Sequence, residues 1–320
     1  MSSNALIFKG NPVKNPFAFS AETAYNTDEK ITPGGLNMRV LVTGAAGQLG
    51  HDVLALLRTR GIECRGADLA EFDLTDGAAA KAFVTAYAPT VIVHCAAYTN
   101  VDKAESEPEI CAEVNGMGTM NMVRAALAVN AKLLYISTDY VFDGSGERPW
   151  EPDDEYGPLN VYGMSKVQGE DAVRSLMTRF FILRTSWVFG LNGKNFVRTM
   201  LRLGEEKPEL RVVADQVGSP TYTRDLARVI CDMIPTEKYG IYHVRNEGFI
   251  SWAQFAEMIM KKAKLDCRII PVSTAEYPTA ARRPLNSRMD GSRLAEAGFA
   301  PMPSVEDALS RYLEELRNAV

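Results

Sequence analysis

Short apolar runs alternate with stretches of helical periodicity from Met38 to about Trp187. Because such alternation is typical of a parallel sheet covered by helices on both faces, it predicts an α/β fold. We expect a doubly wound parallel sheet with a smaller C-terminal lobe. The predicted strands cover residues 39–43, 62–67, 91–94, 132–137 and 180–185, and the predicted helices cover 49–59, 77–87, 109–129 and a segment after Tyr162.

The pattern changes near residues 37 and 187, which divides the chain into three predicted regions. Residues 1–37 show no sustained period and are predicted to be an N-terminal extension. We consider three interpretations. The residues are a mobile arm, or the start codon is assigned too early and Met38 is the true first residue, or the arm packs on the body or on a partner chain through apolar positions 6–8 and 17–19. Residues 38–186 are expected to form most of the sheet domain, and 187–320 most of the smaller lobe, with some interleaving.

The composition excludes several functional classes. The 320 residues are 46% hydrophobic and carry a net charge of −5, and without a basic run we expect no nucleic-acid partner. No apolar stretch approaches the roughly 20 residues of a membrane span, and no secretory signal precedes the body, so we expect a cytoplasmic protein. Five scattered cysteines without a CxxC pair and only three histidines predict reduced thiols and no metal site.

A glycine-rich segment follows the first predicted strand and opens the first helix. Gly44, Gly47 and Gly50 lie in the sequence Gly-Ala-Ala-Gly-Gln-Leu-Gly. Glycines let the backbone approach a pyrophosphate closely, and the helix N-terminus supplies free N–H groups. In this strand–turn–helix context the segment, including Gln48 and Leu49, predicts a Rossmann-type site for NADPH or NADH.

Acidic and small residues extend this predicted cofactor site. Asp68 ends the second strand, where a carboxylate accepts hydrogen bonds from ribose hydroxyls, although nearby Arg65 could instead serve a 2′-phosphate. Asp73, followed by Leu74, either accepts from the adenine amino group or caps a helix. The third strand runs into the small residues Ala96 and Ala97 and then Tyr98, at the edge of the sheet where ligands of α/β folds bind; all of these are candidate cofactor-binding residues.

Candidate catalytic residues follow the fourth strand. Tyr162 and Lys166 are four residues apart on a predicted helix and therefore point to the same side. The ammonium is expected to lower the phenol pKa, so that Tyr162 can transfer a proton to an oxygen that gains negative charge as hydride arrives. Thr138, at the end of the fourth strand, can donate a hydrogen bond to the same oxygen. The alternative is a surface Tyr and a solvated Lys at helical spacing.

The glycine segment, the strand-end Thr and the YxxxK pair together resemble the extended short-chain dehydrogenase/reductases that act on sugar nucleotides. From Met38 to the C-terminus the chain most resembles the dTDP-4-dehydrorhamnose reductases of that group. The resemblance rests on seven ordered motifs, at residues 40–50, 96–105, 137–142, 159–163, 184–189, 215–221 and 282–288. It does not cover residues 1–37.

The resemblance implies that the 4-keto group of dTDP-4-dehydro-L-rhamnose is reduced to dTDP-L-rhamnose, for cell-surface polysaccharide, by a monomer or homodimer. The region 38–186 would bind NAD(P)H and 187–320 the sugar nucleotide. Tyr162 would donate the proton, Lys166 would hold the nicotinamide ribose, and Thr138 would bind the sugar O4. The residues implied to bind substrate are Thr138, Asp139, Tyr140, Trp187, Asn195, Phe196, Gln216 and Arg283. Trp187 either packs on the sugar or fills the core, and Arg283 binds diphosphate or forms a structural ion pair.

Departures from the family pattern and rival functions remain open at this point. His94–Cys95 replaces a small polar pair, Ser165 stands where Thr is usual, and Leu69 after Asp68 weakens the case for strict NADPH use. A 4,6-dehydratase would carry Asp-Glu after the strand-end Thr, but here Tyr140 follows Asp139, which disfavours dehydration. An epimerase, another sugar-nucleotide reductase and a non-catalytic subunit resembling the regulatory subunit of methionine adenosyltransferase are the alternatives.

Overall fold

The computed structural model describes residues 38–318, so the predictions for the N-terminal extension lie outside the described residues. Its strands are β1 Arg39–Thr43, β2 Glu63–Ala67, β3 Val91–His94, β4 Lys132–Thr138, β5 Phe180–Thr185, β6 Val188–Phe189, β7 Glu209–Val213, β8 Val217–Gly218, β9 Thr221–Tyr222, β10 Gly240–His243, β11 Ile250–Ser251 and β12 Arg268–Val272. Its helices are α1 Gln48–Thr59, α2 Gly77–Tyr87, α3 Val101–Ala104, α4 Pro108–Ala112, α5 Gly118–Ala128, α6 Val161–Leu176, α7 Phe196–Glu206, α8 Thr223–Met233, α9 Trp252–Ala263, α10 Ser292–Glu296 and α11 Val305–Asn318.

The central sheet has six parallel strands in the order β10–β5–β4–β3–β1–β2. Its inner strands are almost wholly apolar because helices cover both faces, and Val42, Val93 and Leu134 are fully buried. The predicted α/β class, with a doubly wound parallel sheet, is confirmed. The carboxyl ends of β1, β3, β4 and β5 meet along one edge, where an open sheet of this kind binds ligands.

The segment predicted as one helix at 109–129 is divided by a wider turn. A π-helical turn, Glu113–Met117, lies between α4 and α5. In this turn the buried Asn115 accepts a hydrogen bond from the Tyr98 backbone N–H at 2.8 Å and donates to the Ser165 hydroxyl at 2.9 Å. The turn therefore ties the edge of the sheet to α6, which hydrophobic periodicity alone does not reveal.

Residues beyond 187 contribute to both parts of the fold. Strand β10 completes the central sheet beside β5, and α8 packs against α1. The other strands of this region form two-stranded sheets, around a separate aromatic core of Phe189, Tyr222, Phe255 and Tyr312. Because β10 and α8 belong to the sheet domain, structural interleaving is extensive, and a functional division at residue 187 stays a prediction.

Within residues 38–318, no helix is long and apolar enough to cross a membrane. In the same range there is no cluster of three His, Cys, Asp or Glu side chains that could hold a metal ion. The five cysteines are unpaired in the structure, and three of them are buried.

The contribution of α1 packing to the stability of the fold can be tested by truncating Leu57. Leu57 is fully buried, whereas Leu127 on α5 is 49% exposed. We expect Leu57→Ala to lower the free energy of unfolding by about 3–5 kcal/mol, because it leaves a cavity in a close-packed core. Leu127→Ala, the matched control, should change it by less than about 1 kcal/mol. Urea unfolding followed by circular dichroism checks this, and equal losses in the two variants would contradict it.

Candidate active site

A cavity of about 780 Å³ opens at the edge of the sheet where β1, β3, β4 and β5 end. It is lined by the glycine-rich loop on one side and by α6 on the other. All of the residues predicted for cofactor binding and catalysis line it: Gly44, Gly47, Gln48, Leu49, Gly50, Asp68, Asp73, Leu74, Ala96, Ala97, Tyr98, Thr138, Tyr162 and Lys166. So do the substrate candidates Asp139, Tyr140 and Trp187. The fold thus brings residues far apart in the sequence to one concave site.

The glycine-rich loop has the close packing that requires glycine. Gly44 has a φ of +68°, and a Cβ there would lie 2.7 Å from the Ala96 backbone nitrogen. A Cβ on Gly50 would lie 2.2 Å from the Gly44 carbonyl oxygen. Gly47 precedes α1 without any side-chain cap, so the N–H groups at the start of the helix are left for an anion. These residues fit a dinucleotide pyrophosphate.

Asp68 and Arg65 were the two candidates for contacts with the adenosine ribose or its 2′-phosphate, and the structure distinguishes them. Asp68 Oδ2 accepts from the Ala46 N–H at 2.7 Å, so this carboxylate also holds the glycine-rich loop. The Arg65 guanidinium lies 4.4 Å from the centre of the Phe83 ring and Arg65 does not line the cavity, which favours Asp68 as the ribose partner.

Asp73 does not cap a helix, so that alternative is wrong. Its Oδ1 accepts from the backbone N–H and the hydroxyl of Thr75, both at 2.8 Å. These hydrogen bonds lower the pKa of the Asp73 carboxyl. Asp76 is the residue that caps α2, by accepting from the N–H groups of Ala78 and Ala79. The adenine contact of Asp73 stays a prediction.

Tyr162 and Lys166 lie in the first turns of α6, and both line the cavity. The helix begins there because Asn160 caps it, accepting from the Gly163 N–H at 2.8 Å. Lys166 is buried; its Nζ donates to the Ile136 carbonyl at 2.8 Å and lies 4.1 Å from the centre of the Tyr135 ring. The pair is therefore not a surface Tyr with a solvated Lys.

Burial shifts the pKa values of these two groups in opposite directions. Desolvation lowers the pKa of Lys166 to about 7, and the charge of Glu170 opposes that shift. Desolvation raises the pKa of Tyr162, and the charge of Asp139 raises it further, while the Thr138 hydroxyl lowers it. The expected net lowering of the Tyr162 pKa is therefore wrong for the protein by itself, because desolvation raises that pKa and Asp139 adds to the effect. Tyr162 is consequently protonated at neutral pH.

Thr138 and its two neighbours form the wall of the cavity nearest to Tyr162. The Thr138 hydroxyl donates to Asp139 Oδ1 at 3.0 Å and accepts from the Tyr140 N–H at 3.2 Å. Burial raises the pKa of Asp139 to about 6. The rings of Tyr140 and Tyr162 meet edge to face, 5.6 Å apart. This places a hydroxyl, a carboxyl and two phenols around one end of the cavity.

Comparison with known proteins decides the family. The RmlD substrate binding domain matches residues 38–318. A dTDP-4-dehydrorhamnose reductase of Aggregatibacter actinomycetemcomitans is 41% identical over 83% of this chain and 95% of that protein. The chain belongs to the dTDP-4-dehydrorhamnose reductase family.

Two further relatives agree with this membership. The spore coat polysaccharide biosynthesis protein SpsK of Bacillus subtilis is 40% identical over 88% of this chain and 99% of that protein. The crystal structure of dTDP-4-dehydrorhamnose reductase from Bacillus anthracis in complex with NADP is 43% identical, with a TM-score of 0.85 over 88% of this chain and 100% of that chain. The family resemblance and the fold predicted from the sequence are confirmed.

The departures from the family pattern leave the cavity intact. His94 is buried, with Nδ1 2.7 Å from the Thr43 hydroxyl and Nε2 3.2 Å from the Thr119 hydroxyl. Burial lowers its pKa to about 3, so the imidazole is neutral. Ser165 donates to the Tyr162 carbonyl at 2.7 Å within α6. Both side chains serve as hydrogen-bonding supports behind the residues that line the site.

Trp187 packs against another aromatic ring and also lines the cavity. Its ring stacks on Trp252 with centroids 3.6 Å apart, and its edge approaches Gly218, where a Cβ would lie 3.0 Å from the ring. Trp187 also lines the cavity and has a φ of +51°, a conformation rare for a side chain of this size. The ring is held from behind by Trp252, and its sugar contact stays a prediction.

Four residues implied to bind substrate do not line the cavity: Asn195, Phe196, Gln216 and Arg283. Arg283 pairs with Asp102 at 2.7 Å, which is the structural alternative for this residue. The Gln216 amide donates to the Thr274 hydroxyl at 3.1 Å, and Phe196 packs against Trp252 at 4.6 Å. Their roles in nucleotide binding stay predictions.

Asn195 joins the glycine-rich loop to the smaller lobe. It caps α7, and its amide donates to Gln48 Oε1 at 3.0 Å and to the Tyr312 hydroxyl at 3.2 Å. Gln48 Oε1 also accepts from the Gly190 N–H at 3.0 Å. Gln48 therefore anchors the 190–195 loop as well as lining the cavity.

The sequence analysis did not identify two charged residues at or behind the site. Lys194 lines the cavity from the 190–195 loop, where a cation can meet a phosphate group. Its position directly before Asn195 was an available signal. Glu170 lies one turn after Lys166 on α6 and is fully buried. Its spacing would have indicated it, because Glu170 follows Lys166 by four residues, as Lys166 follows Tyr162.

A single methyl group tests the geometry of the glycine-rich loop. We expect Gly50→Ala to raise the Kd for NADPH by at least about tenfold, some 1.4 kcal/mol, because the new Cβ displaces the Gly44 carbonyl and with it the loop. Gly291→Ala is the matched control, since its Cβ would meet nothing closer than 3.7 Å. Quenching of protein fluorescence by NADPH gives both Kd values. An unchanged Kd for Gly50→Ala would exclude the loop as the pyrophosphate site.

Proposed function

We propose that this protein is an NAD(P)H-dependent 4-ketoreductase that converts dTDP-4-dehydro-L-rhamnose to dTDP-L-rhamnose. The observation that carries the proposal is the convergence of Thr138, Tyr162 and Lys166 on the cavity that also contains the glycine-rich loop. The names of the relatives, including the Bacillus anthracis reductase in complex with NADP, support the same reaction.

The residues that line the cavity are suited to bind a nicotinamide dinucleotide. The Gly44–Gly50 loop and the uncapped start of α1 would hold the pyrophosphate, Asp68 the adenosine ribose and Lys166 the nicotinamide ribose. When bound, the reduced cofactor supplies the hydride. The choice between NADPH and NADH is open at Asp68, whose carboxylate favours free ribose hydroxyls, although the Bacillus anthracis relative is in complex with NADP.

The protein's own groups handle the proton. Tyr162 keeps its proton at neutral pH because burial and Asp139 raise its pKa, so it is a donor to a carbonyl oxygen that becomes an alkoxide. The Thr138 hydroxyl lies beside it as a second hydrogen-bond donor. The Lys166 ammonium then stabilises the phenolate left on Tyr162, a charge that burial would otherwise penalise.

Two rival functions lack support at this site. Elimination of water needs a second carboxylate after Asp139, and Tyr140 occupies that position. A purely regulatory subunit would not need a catalytic pair, whereas here both Tyr162 and Lys166 are positioned at the cavity. A cytoplasmic location, a monomeric or dimeric state and the absence of a nucleic-acid partner remain part of the proposal.

The role of Tyr162 as proton donor can be tested by removing its hydroxyl group. Tyr162→Phe should lower kcat by about 10²-fold or more, the usual contribution of a general acid, with little change in the Kd for NADPH. The matched control is Tyr277→Phe, because Tyr277 is 52% exposed and lies outside the cavity. Steady-state rates of NADPH oxidation measure both. Wild-type turnover in Tyr162→Phe would reject the assignment.

Substrate and cofactor stoichiometry test the reaction itself. With dTDP-4-dehydrorhamnose we expect one NAD(P)H oxidised for each keto sugar consumed, because a reductase releases oxidised cofactor at every turnover. Matched GDP- and UDP-linked 4-keto sugars should react with lower kcat/KM. Absorbance at the nicotinamide band with product chromatography measures this. Conversion without net NAD(P)H oxidation would identify an epimerase.

A further inference from the structure

A fully buried carboxylate lies on the catalytic helix, one turn after Lys166. Glu170 accepts four hydrogen bonds, and its exposed fraction is 0%. Arg184 donates Nε to Oε1 at 2.9 Å and Nη2 to Oε2 at 2.7 Å. The Ser137 hydroxyl donates to Oε1 at 2.5 Å, and the Tyr156 hydroxyl donates to Oε2 at 2.7 Å.

These partners come from different elements, so Glu170 joins them. Arg184 is on β5, and its remaining Nη1 donates to the Pro152 carbonyl at 2.9 Å. Ser137 is on β4 directly before Thr138 and itself lines the cavity. The hydrogen bonds therefore fix α6, which carries Tyr162 and Lys166, against the strand end that carries Thr138.

A buried charge is expensive unless it is fully paired, and four donors pair this carboxylate. Its Arg partner is also buried, at 1% exposure. Apolar residues could join α6 to β5 at no such cost. The position of the charge next to Lys166 points to a role beyond packing.

Glu170 lies one turn after Lys166 on α6, and its negative charge raises the Lys166 pKa against the effect of burial. The other titratable groups around Lys166 are His94, Cys95, Cys111, Tyr135 and Tyr162. Burial lowers the pKa of His94 and raises the pKa of the two thiols and the two phenols. These groups are therefore uncharged at neutral pH, so the charges closest to Lys166 along this network are those of Glu170 and its partner Arg184, and Glu170 is the one of opposite sign.

We propose that Glu170 is a positioning residue for the reduction, which favours the ammonium form of Lys166 and fixes α6 to the strand end at Thr138. The inference rests on the proposed function, because it assigns Glu170 a task in that same site. It predicts an electrostatic effect of Glu170 that a residue needed only for folding would not have.

Glu170→Gln keeps the shape of the side chain and removes its charge. Since activity needs charged Lys166, the rate is lost as pH rises through the Lys166 pKa. Without Glu170 that pKa falls, so the alkaline limb of kcat/KM should move down by about one pH unit, the lower end of the effect of a nearby opposite charge. At pH 7.5 we expect kcat to fall by up to about tenfold, the limit that a one-unit shift of the pKa sets. Glu170→Asp, which retains the charge, should restore the position of the limb.

Two further measurements separate the proposal from misfolding and from the proposed function. The double variant Glu170→Gln with Arg184→Gln removes both buried charges together, so no unpaired charge stays buried and we expect it to fold even if the single variant does not. Because the charge of Arg184 opposes that of Glu170 at Lys166, the alkaline limb of the double variant should lie between those of wild type and Glu170→Gln. The pH dependence of the Kd for NADPH, from nicotinamide fluorescence, needs no turnover and should shift in the same direction.

A wild type that binds NADPH but reduces no keto sugar would reject the proposed function, while a shifted pH profile of binding would still uphold the role of Glu170. Unshifted pH profiles of both kcat/KM and Kd in folded Glu170→Gln protein would overturn it, even if kcat falls.

Discussion

The buried ion pair between Glu170 and Arg184 is the constraint on which the geometry of the site depends. It joins the catalytic helix to the central sheet, and breaking such a pair by removing one partner typically costs about 3–5 kcal/mol. The cost of dehydrating both charges is offset because hydrogen bonds to Ser137, Tyr156 and Pro152 satisfy the remaining polar atoms. The helix therefore has one position relative to β4, and the distances between Thr138, Tyr162 and Lys166 follow from it.

Burial affects Tyr162 and Lys166, the two groups proposed to be catalytic, in opposite directions. The same low-polarity surroundings disfavour phenolate on Tyr162 and ammonium on Lys166, because each is the charged form of its group. Tyr162 therefore keeps its proton at neutral pH, while the charge of Glu170 opposes the effect of burial on Lys166. If Tyr162 donates a proton as proposed, the phenolate that is left needs a nearby cation, and Glu170 favours that cation.

The glycine-rich loop and the smaller lobe are held together by residues that also face the cavity. Gln48 bonds to Asn195 and Gly190, and Asn192 donates to the Ala46 carbonyl at 2.6 Å. The Trp187 ring stacks on the Trp252 ring, and Trp187 also lines the cavity. The glycine-rich loop and the smaller lobe are therefore already connected beside the cavity.

The sequence by itself determined five strands of the central sheet, the helices α1, α2 and α6, the glycine-rich loop and the YxxxK pair, because local periodicity and close spacing encode them. It also showed the family. Tertiary structure alone decided that β10 returns to complete the sheet, that Arg283 pairs with Asp102, and that Arg65 packs on Phe83. It alone decided the direction of the Tyr162 pKa, which the spacing to Lys166 misjudged. Each of these features depends on contacts between residues that are distant along the chain and on the exclusion of water. A local sequence pattern encodes neither the contacts nor the burial.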